Sequence, residues 1–304
     1  KLSLHKKMNL RLFDIRDYNR LKKTIKTIKP SIIFHLAAQP LIYESYKKPL
    51  MTFDINFRGS LNLLDIAKDS KFVKSIIIVT SDKCYESNNS SIGFKEDDLL
   101  GGVDPYSASK STTEIMVRTY IESFKKKKKI VGLSTGRAGN VIGGGDWSKN
   151  RLIPDCIRFL LNKKTINIRN PNFNRPWQHV LEPLKGYLML AKKQYQSPKN
   201  YSSAWNFGTT PNSLTSVKSI VKFIIEFWGS GKIKVQKNKL YEQENLQLNI
   251  TKAKQYLKWQ PTYKIKESVR ITTEWYYRVL KLKELPEKVT LDQIQKYEED
   301  SKIN

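Results

Sequence analysis

The chain has 304 residues, and its 55 lysines and arginines against 28 acidic residues give a formal charge of +27. Cys84 and Cys156 are its only cysteines, which excludes a disulfide framework and a cysteine zinc site and favours a reducing cytoplasm. No apolar run approaches the roughly 20 residues that span a bilayer, and the first residues show no signal-peptide pattern. We therefore expect a cytoplasmic protein with no membrane partner.

The positive charge also allows a nucleic-acid-binding interpretation. The lysines are spread along the whole chain, however, and the run at 125–129 lies between a predicted helix and a predicted strand. We predict a solvated loop there and no nucleic-acid partner, although the charge would attract a phosphate-bearing substrate.

Strand-like and helical segments alternate through the first half of the chain. In order, they are a strand at 9–13, a helix ending at Lys29, strand 32–36, helix 51–69, strand 75–80, helix 106–124 and strand 130–135. Such alternation predicts an α/β fold, with a doubly wound parallel sheet and helices on both faces.

After about Gly145 the alternation is less regular. A helix at 153–161, a hairpin-like segment at 165–169 and an aromatic-rich stretch around Trp177 precede further helices. We therefore divide the chain into a sheet-bearing domain, residues 1–145, and a smaller, mainly substrate-binding domain, residues 146–304. The charged tail after Leu285 is predicted to fray.

The segment Tyr106-Ser-Ala-Ser-Lys110 places a tyrosine and a lysine one turn apart on one face of a helix. Asp104-Pro105 before it is a helix start signal. The lysine charge would favour the phenolate and lower its pKa, so that the tyrosine could take a proton while a nicotinamide takes a hydride. Because the pattern alone is weak in a lysine-rich chain, a surface helix without catalytic function is the alternative.

A second polar group follows the β-branched run at residues 75–79. Thr80, Ser81, Asp82 and Lys83 come where this predicted strand ends, and open α/β sheets keep their active sites at the carboxyl ends of strands. We expect these side chains and the tyrosine–lysine pair to share one cleft.

Six longer segments carry a family resemblance. They are Phe34-His-Leu-Ala-Ala-Gln-Pro40, Thr80-Ser-Asp-Lys-Cys-Tyr85, Asp104-Pro-Tyr-Ser-Ala-Ser-Lys110, Arg137-Ala-Gly-Asn-Val-Ile-Gly-Gly-Gly-Asp-Trp147, Arg151-Leu-Ile-Pro154 and Arg175-Pro-Trp-Gln-His-Val180. Up to about Lys281, the chain resembles the CDP-glucose 4,6-dehydratases, NAD-dependent lyases of the extended short-chain dehydrogenase/reductase superfamily with a Rossmann-like fold.

The resemblance implies an internal redox cycle on CDP-glucose. Carbon 4 of the sugar is oxidised with NAD as hydride acceptor, water leaves across carbons 5 and 6, and the hydride returns to carbon 6. The product, CDP-4-dehydro-6-deoxyglucose, serves deoxysugar synthesis for surface polysaccharides such as lipopolysaccharide O-antigen. The family also implies a homodimer or homotetramer when the chain is complete.

The family pattern also assigns the catalytic residues. Tyr106 would be the base at the carbon 4 hydroxyl, Lys110 would hold its phenolate, and Ser81 would hydrogen-bond the same sugar oxygen. Asp82 would protonate the leaving hydroxyl at carbon 6. For Lys83 two functions stay open, removal of the carbon 5 proton or charge pairing with Asp82.

The resemblance also implies binding residues and no metal. The residues implied to bind NAD are Asp14, Ala37, Ala38, Thr80, Tyr106 and Lys110. The residues implied to bind the substrate are Asn140, Arg151, Arg175 and His179. Arg175 would pair with the pyrophosphate, whereas His179 could equally be a core histidine and Asn56 could have a structural function.

The family begins with a strand, a Gly-x-x-Gly-x-x-Gly turn and a helix that bind the NAD pyrophosphate. This sequence has no such segment, and Gly143-Gly-Gly145 comes too late to provide it. We expect the first two strands, about fifty residues, to be absent from a truncated Rossmann domain, which would expose a sheet edge. The 304-residue chain alone would then bind NAD poorly.

Rival functions remain open. Another nucleotide-sugar dehydratase of the superfamily fits the same residues, whereas Asp82 argues against an epimerase because an epimerase has no water to expel. A basic nucleic-acid-binding protein would need clustered basic and aromatic residues, which the sequence does not show.

Overall fold

The computed structural model describes residues 6–86, 93–126, 131–168, 170–210, 213–235 and 247–303. Part of the predicted lysine loop, residues 127–129, lies outside these ranges. Ile130 at the start of a predicted strand and Arg169 at the end of the predicted hairpin lie outside them as well.

Helices and strands alternate along the described residues. The α-helices are α1 (Tyr18–Ile28), α2 (Ile42–Lys47), α3 (Pro49–Phe53), α4 (Gly59–Lys68), α5 (Pro105–Lys126), α6 (Leu152–Leu161), α7 (Leu181–Gln196), α8 (Pro198–Tyr201), α9 (Val217–Trp228), α10 (Ile265–Leu280) and α11 (Pro286–Ile303). The strands are β1 (Ile32–His35), β2 (Ser75–Val79), β3 (Gly132–Ala138), β4 (Val141–Ile142), β5 (Ile166–Ile168), β6 (Asn174–Arg175), β7 (Gln178–His179), β8 (Ala204–Phe207), β9 (Thr215–Ser216) and β10 (Ile233–Val235).

A four-stranded parallel sheet of order β1-β2-β3-β8 forms the centre of the fold. Successive side chains of a strand point to opposite faces, and β2 is buried on both. Ile76 and Ile78 pack with residues of α1, α4 and α5, whereas Ile77 packs with α7 and β8. The predicted parallel sheet with helices on both faces is therefore confirmed.

The predicted strand at 9–13 is wrong. These residues have no regular secondary structure, and Leu10 and Leu12 are exposed. A strand must hydrogen-bond to a neighbour, and among the described residues β1, at the edge of the sheet, pairs with β2 only. Phe13 instead packs against the cluster that contains α1 and α4.

Two further expectations need correction. The segment at 165–169 is no hairpin, because β5 pairs in parallel with the distant strand β10. The tail after Leu285 forms helix α11, on which Val289 and Tyr297 are buried. Its docking depends on side chains far away in the sequence, which composition alone does not reveal.

A second hydrophobic core forms in the C-terminal half from α6, α9 and α10 together with β5. The chain also returns to the central sheet beyond residue 145, because β8 pairs with β3. The division into residues 1–145 and 146–304 stays a prediction.

Candidate active site

The polar segment after β2 forms a short turn at the carboxyl end of the sheet. The backbone N–H of Thr80 still donates to Gly136 O of β3, at 3.0 Å, and holds the segment on the sheet. Ser81 is extended and caps a single 3₁₀ turn, Asp82–Cys84, because its hydroxyl oxygen accepts from Lys83 N at 3.2 Å. Asp82 is thereby turned into the interior, where only 3% of it is exposed.

Helix α5 carries the tyrosine–lysine pair. Pro105 occupies its first turn, and the Asp104 carboxylate accepts from Ser107 N at 2.9 Å, which caps an otherwise unpaired backbone N–H. Tyr106 and Lys110 lie on one face, and that face is buried. The alternative of a surface helix with an exposed tyrosine is therefore wrong.

Ser81, Asp82 and Tyr106 form one hydrogen-bonded row. The Ser81 hydroxyl donates to Asp82 Oδ1 at 2.9 Å and also shares a hydrogen bond with the Tyr106 phenol. A phenol, a hydroxyl and a carboxyl group therefore lie side by side, although they come from two separate segments of the chain. Such a row can exchange protons with the hydroxyl groups of a bound molecule.

The expected lowering of the Tyr106 pKa is wrong. Burial raises this pKa to about 12, and the Ser81 hydrogen bond and the Arg151 charge only partly oppose the shift. Lys110 does not pair with the phenol, because its ammonium donates to Val79 O at 3.1 Å. Burial lowers the pKa of Lys110 itself to about 8.

Asp82 has the properties of a buried acid. Burial raises its pKa, and the Lys83 charge is the largest effect in the opposite direction, followed by the Ser81 hydrogen bond and the Arg175 charge. Its Oδ2 atom has no hydrogen-bond partner among the described residues. A Cβ added at Gly139 would lie 3.3 Å from this oxygen, so a residue without a side chain borders it.

The residues expected to bind a dinucleotide lie near the carboxyl end of β1 and before α1. The exposed Asp14 carboxylate is held by Arg16, whose Nε and Nη2 donate to it at 3.0 and 2.7 Å and lower its pKa to about 2. Ala37 and Ala38 follow β1 and present only methyl groups. An ionised acceptor and small side chains fit a ribose and a closely approaching backbone.

Two predicted residues hold the structure together rather than pointing outward. The Asn56 side chain accepts from Gln39 N at 2.8 Å and donates to Ser109 Oγ at 2.9 Å, which ties the segment after β1 to α5. The Thr80 hydroxyl donates to Glu114 Oε1. The structure therefore gives Thr80 a buried partner, and its predicted contact with a cofactor stays a prediction.

The charges of two predicted arginines act on the row of Ser81, Asp82 and Tyr106. Arg175, on β6, is 7% exposed, and its charge acts on Asp82. Arg151 lies 3.7 Å from Asp146 Oδ2, and its charge acts on Tyr106. Two cations therefore lie beside the row, as the binding of an anionic substrate requires.

Asn140 and His179 have no direct bond to the row. Asn140 contributes its backbone carbonyl, which accepts from Gln178 N at 3.0 Å. His179 is buried, and burial lowers its pKa to about 4, so the ring is neutral at pH 7. Its Nε2 has no partner among the described residues.

The sequence analysis missed a buried ion pair beneath the site. Glu114 and Arg137 lie 2.8 Å apart, with side-chain exposures of 2% and 3%. One signal was available, because Tyr106, Lys110 and Glu114 follow one another at intervals of four on one face of α5. Nothing in the sequence indicated that Arg137 of β3 would meet this face.

In the described ranges, no group of three or more His, Cys, Asp or Glu side chains is arranged to hold a metal ion. None of the helices in this part of the chain is long and apolar enough to cross a membrane.

Comparison with known proteins assigns the family. The sequence model of the GDP-mannose 4,6 dehydratase family matches residues 1–272. The chain belongs to this family. Within it, the chain is 39% identical over 275 residues to the CDP-glucose 4,6-dehydratase of Salmonella typhimurium, which covers 88% of this chain and 77% of that protein. The predicted resemblance is therefore confirmed.

Solved structures of other nucleotide-sugar enzymes have the same fold as this chain. A UDP-glucose 4-epimerase of Thermotoga maritima superposes with a TM-score of 0.78 at 21% identity, covering 88% of this chain and 84% of that one. A dTDP-glucose 4,6-dehydratase of Streptomyces venezuelae gives a TM-score of 0.76 at 19% identity, with coverages of 88% and 79%. At these identities the similarity shows the Rossmann-like fold.

Proposed function

We propose that this protein is a CDP-glucose 4,6-dehydratase that converts CDP-glucose to CDP-4-dehydro-6-deoxyglucose. The observation that carries the proposal is the hydrogen-bonded row of Ser81, Asp82 and Tyr106, found in a chain that is 39% identical to a CDP-glucose 4,6-dehydratase. The reaction needs a base at the carbon 4 hydroxyl for the oxidation and an acid at the carbon 6 hydroxyl for the loss of water, and this row provides both in one place.

NAD, when bound, would supply the acceptor for the carbon 4 hydride and return it to carbon 6. Asp14 and the segment at Ala37 and Ala38 would hold its adenosine half, and Lys110 would face its nicotinamide ribose. Thr80 and Tyr106 complete the proposed contacts. The fit rests on the ionised Asp14 carboxylate and on the buried Lys110 ammonium beside the carboxyl end of β2.

Tyr106 would accept the proton of the carbon 4 hydroxyl, with Ser81 bonded to the same oxygen. Burial raises the Tyr106 pKa to about 12, so only the small phenolate fraction present at neutral pH can accept this proton. The Arg151 charge favours that phenolate form.

Asp82 would then protonate the hydroxyl that leaves carbon 6. Its raised pKa keeps a proton available, and its unpartnered Oδ2 provides the atom that can deliver it. For Lys83 the two functions remain open, and its charge on Asp82 supports a pairing function. Either way, the carbon 5 proton is acidified by the adjacent ketone.

On the substrate side, Arg175 and Arg151 would bind the pyrophosphate, and Asn140 and His179 would contact the sugar or nucleotide. The same proposal includes cytidine as the nucleotide of the substrate and a homodimeric or homotetrameric assembly. It also includes a cytoplasmic location without nucleic-acid or membrane partners.

The test uses the protein encoded at its native locus, together with any residues encoded upstream of Lys1. It is incubated with NAD and CDP-, dTDP-, GDP- or UDP-glucose, and the 4-keto-6-deoxy sugar is detected by its absorbance in alkali. We expect signal with CDP-glucose and its loss in Tyr106→Phe. Signal with only another nucleotide sugar would show that the substrate is that sugar and not CDP-glucose. No product from a folded, NAD-loaded protein would refute a dehydratase.

A further inference from the structure

The turn that carries Ser81, Asp82 and Lys83 is bonded at both ends to one buried ion pair. Before the turn, the Thr80 hydroxyl donates to Glu114 Oε1. After it, Arg137 Nη1 donates to the Tyr85 hydroxyl at 2.6 Å. Glu114 and Arg137 are themselves joined by an Nη2–Oε2 bond of 2.8 Å, so one pair connects the two ends.

Further bonds fix this pair in place. Thr135 Oγ1 donates to Glu114 Oε2 at 2.7 Å, and Arg137 Nη1 donates to Glu96 O at 2.9 Å. Burial works to raise the pKa of Glu114, but the charge and hydrogen bonds of Arg137 and the two threonine hydroxyls outweigh it and lower that pKa. The pair therefore stays ionised.

Tyr85 extends the connection to the far side of the sheet. Its hydroxyl donates to Asn206 Oδ1 of β8 at 2.7 Å, and its ring stacks on Phe94 with centroids 4.8 Å apart. The Arg137 guanidinium lies 4.8 Å from the centre of the same ring. The residue that follows this turn is thus held in place twice, because the ring and the hydroxyl of Tyr85 have separate partners.

Stability alone explains this arrangement poorly. A buried ion pair is often no more stabilising than apolar residues of similar volume, because the desolvation of two charges offsets their attraction. What such a pair provides is a fixed geometry, and the geometry it fixes is that of the turn bearing Asp82.

We propose that the Glu114–Arg137 pair is a positioning device that holds the Ser81–Lys83 turn so that the Asp82 carboxyl meets carbon 6 of a sugar bound at Tyr106. This inference rests on the proposed dehydratase function. Glu114 and Arg137 act through the turn and touch no reacting atom. Loosening the turn therefore slows elimination at carbons 5 and 6 more than oxidation at carbon 4.

The decisive variant is Tyr85→Phe, which keeps the ring and removes only the hydroxyl that receives the Arg137 bond. We expect kcat to fall about ten- to a hundredfold with little change in KM, as for small misplacements of a catalytic group. Since elimination would become rate-limiting, the isotope effect of deuterium at carbon 5 should rise and that of deuterium at carbon 4 should fall.

A second readout does not depend on activity. Hydrogen–deuterium exchange of the backbone amides at 80–85 should be faster in Tyr85→Phe than in the wild type. If the wild type does not turn over CDP-glucose, the proposed function fails, but this exchange still tests whether the pair holds the turn. Unchanged exchange there would refute the positioning.

Matched variants separate positioning from general stability. Tyr297→Phe removes a buried hydroxyl bond of similar length, 2.7 Å to Glu182, far from the turn in sequence, and should leave both isotope effects unchanged. Glu114→Gln should repeat the Tyr85→Phe pattern. Should it fail to fold, Glu114→Gln/Arg137→Met removes both charges and should regain stability without regaining the wild-type isotope effects. Variants that lose only stability, with wild-type isotope effects, would overturn the proposal.

Discussion

Glu182 and Asp82 are both buried carboxylates, and their surroundings differ in an instructive way. Glu182, at the start of α7, accepts from Thr262 N at 2.9 Å, Tyr263 N at 2.8 Å and the Tyr297 hydroxyl at 2.7 Å. Asp82 accepts one side-chain bond, from Ser81, and its Oδ2 has no partner among the described residues. Burial raises the pKa of both groups.

The difference separates a fully bonded carboxylate from one with an unpartnered oxygen among the described residues. A buried acceptor without a partner costs free energy, whereas a fully bonded one can hold separate segments together. Glu182 ties α7 to the segment before α10 and to α11. Asp82 keeps an oxygen available, which is what an acid that protonates a leaving group requires.

The largest expected effect comes from Asp82→Asn. Turnover of CDP-glucose should fall about 10²- to 10⁴-fold, the usual contribution of a general acid. The stability of the variant should equal or exceed that of the wild type, because a neutral amide carries no charge to desolvate and still accepts from Ser81. Steady-state kinetics and urea unfolding measure the two quantities. A variant that keeps its activity but loses stability would make Asp82 a structural residue like Glu182.

The position of Asp82 could be predicted from the sequence, whereas the contacts of Glu182 could not. Ser81, Asp82 and Tyr106 stand in local patterns next to a strand end or a helix start, so their placement follows from secondary structure. The partners of Glu182 lie about 80 residues or more away in the chain, and no local pattern identifies them. For the same reason α11 was expected to fray.

Electrostatics was the part of the site that sequence reasoning had wrong. The spacing of Tyr106 and Lys110 placed both on one face of α5, as predicted. The effect of burial on each pKa depends on how the whole sheet edge packs, and the spacing of residues in the sequence gives no information on that packing. The Glu114–Arg137 pair was missed because Arg137 reaches it from a different strand.

Glu182→Gln should mainly change stability. The amide can accept from Thr262 N and Tyr297 with its oxygen, but its NH₂ group would then face the Tyr263 N–H, which loses its acceptor inside the protein. An unsatisfied buried donor costs about 1–3 kcal/mol, so the free energy of unfolding should fall by that amount while kcat stays within about twofold. Urea unfolding of this variant, beside Asp82→Asn, provides the measurement. A large loss of activity in a folded Glu182→Gln would contradict the distinction.

The pH dependence of stability sharpens the comparison further. The folded-state pKa of Asp82 lies above its usual 3.8, so the unfolded chain loses this proton first as the pH rises. The folded protein then binds more protons, and stability falls with rising pH by at most about 1.4 kcal/mol per pH unit. The unfolding free energy of the wild type minus that of Asp82→Asn should therefore become more negative from about pH 4 upward and level off above the folded-state pKa. A value that becomes more positive with rising pH would reverse the sign of the shift.

The smallest expected effect is that of Tyr297→Phe. It removes one donor to Glu182 Oε2, which keeps its bond from Thr262 N, so the free energy of unfolding should fall by about 0.5–1.5 kcal/mol. Tyr263→Phe is the matched control, because the Tyr263 hydroxyl donates to Asp300 at 3.0 Å and that carboxylate is 24% exposed. Water can replace the lost donor at Asp300 but not at the buried Glu182, so Tyr263→Phe should cost less. Thermal unfolding of both variants measures the difference. Equal losses of stability would mean that the hydrogen bond from Tyr297 to Glu182 does not anchor α11.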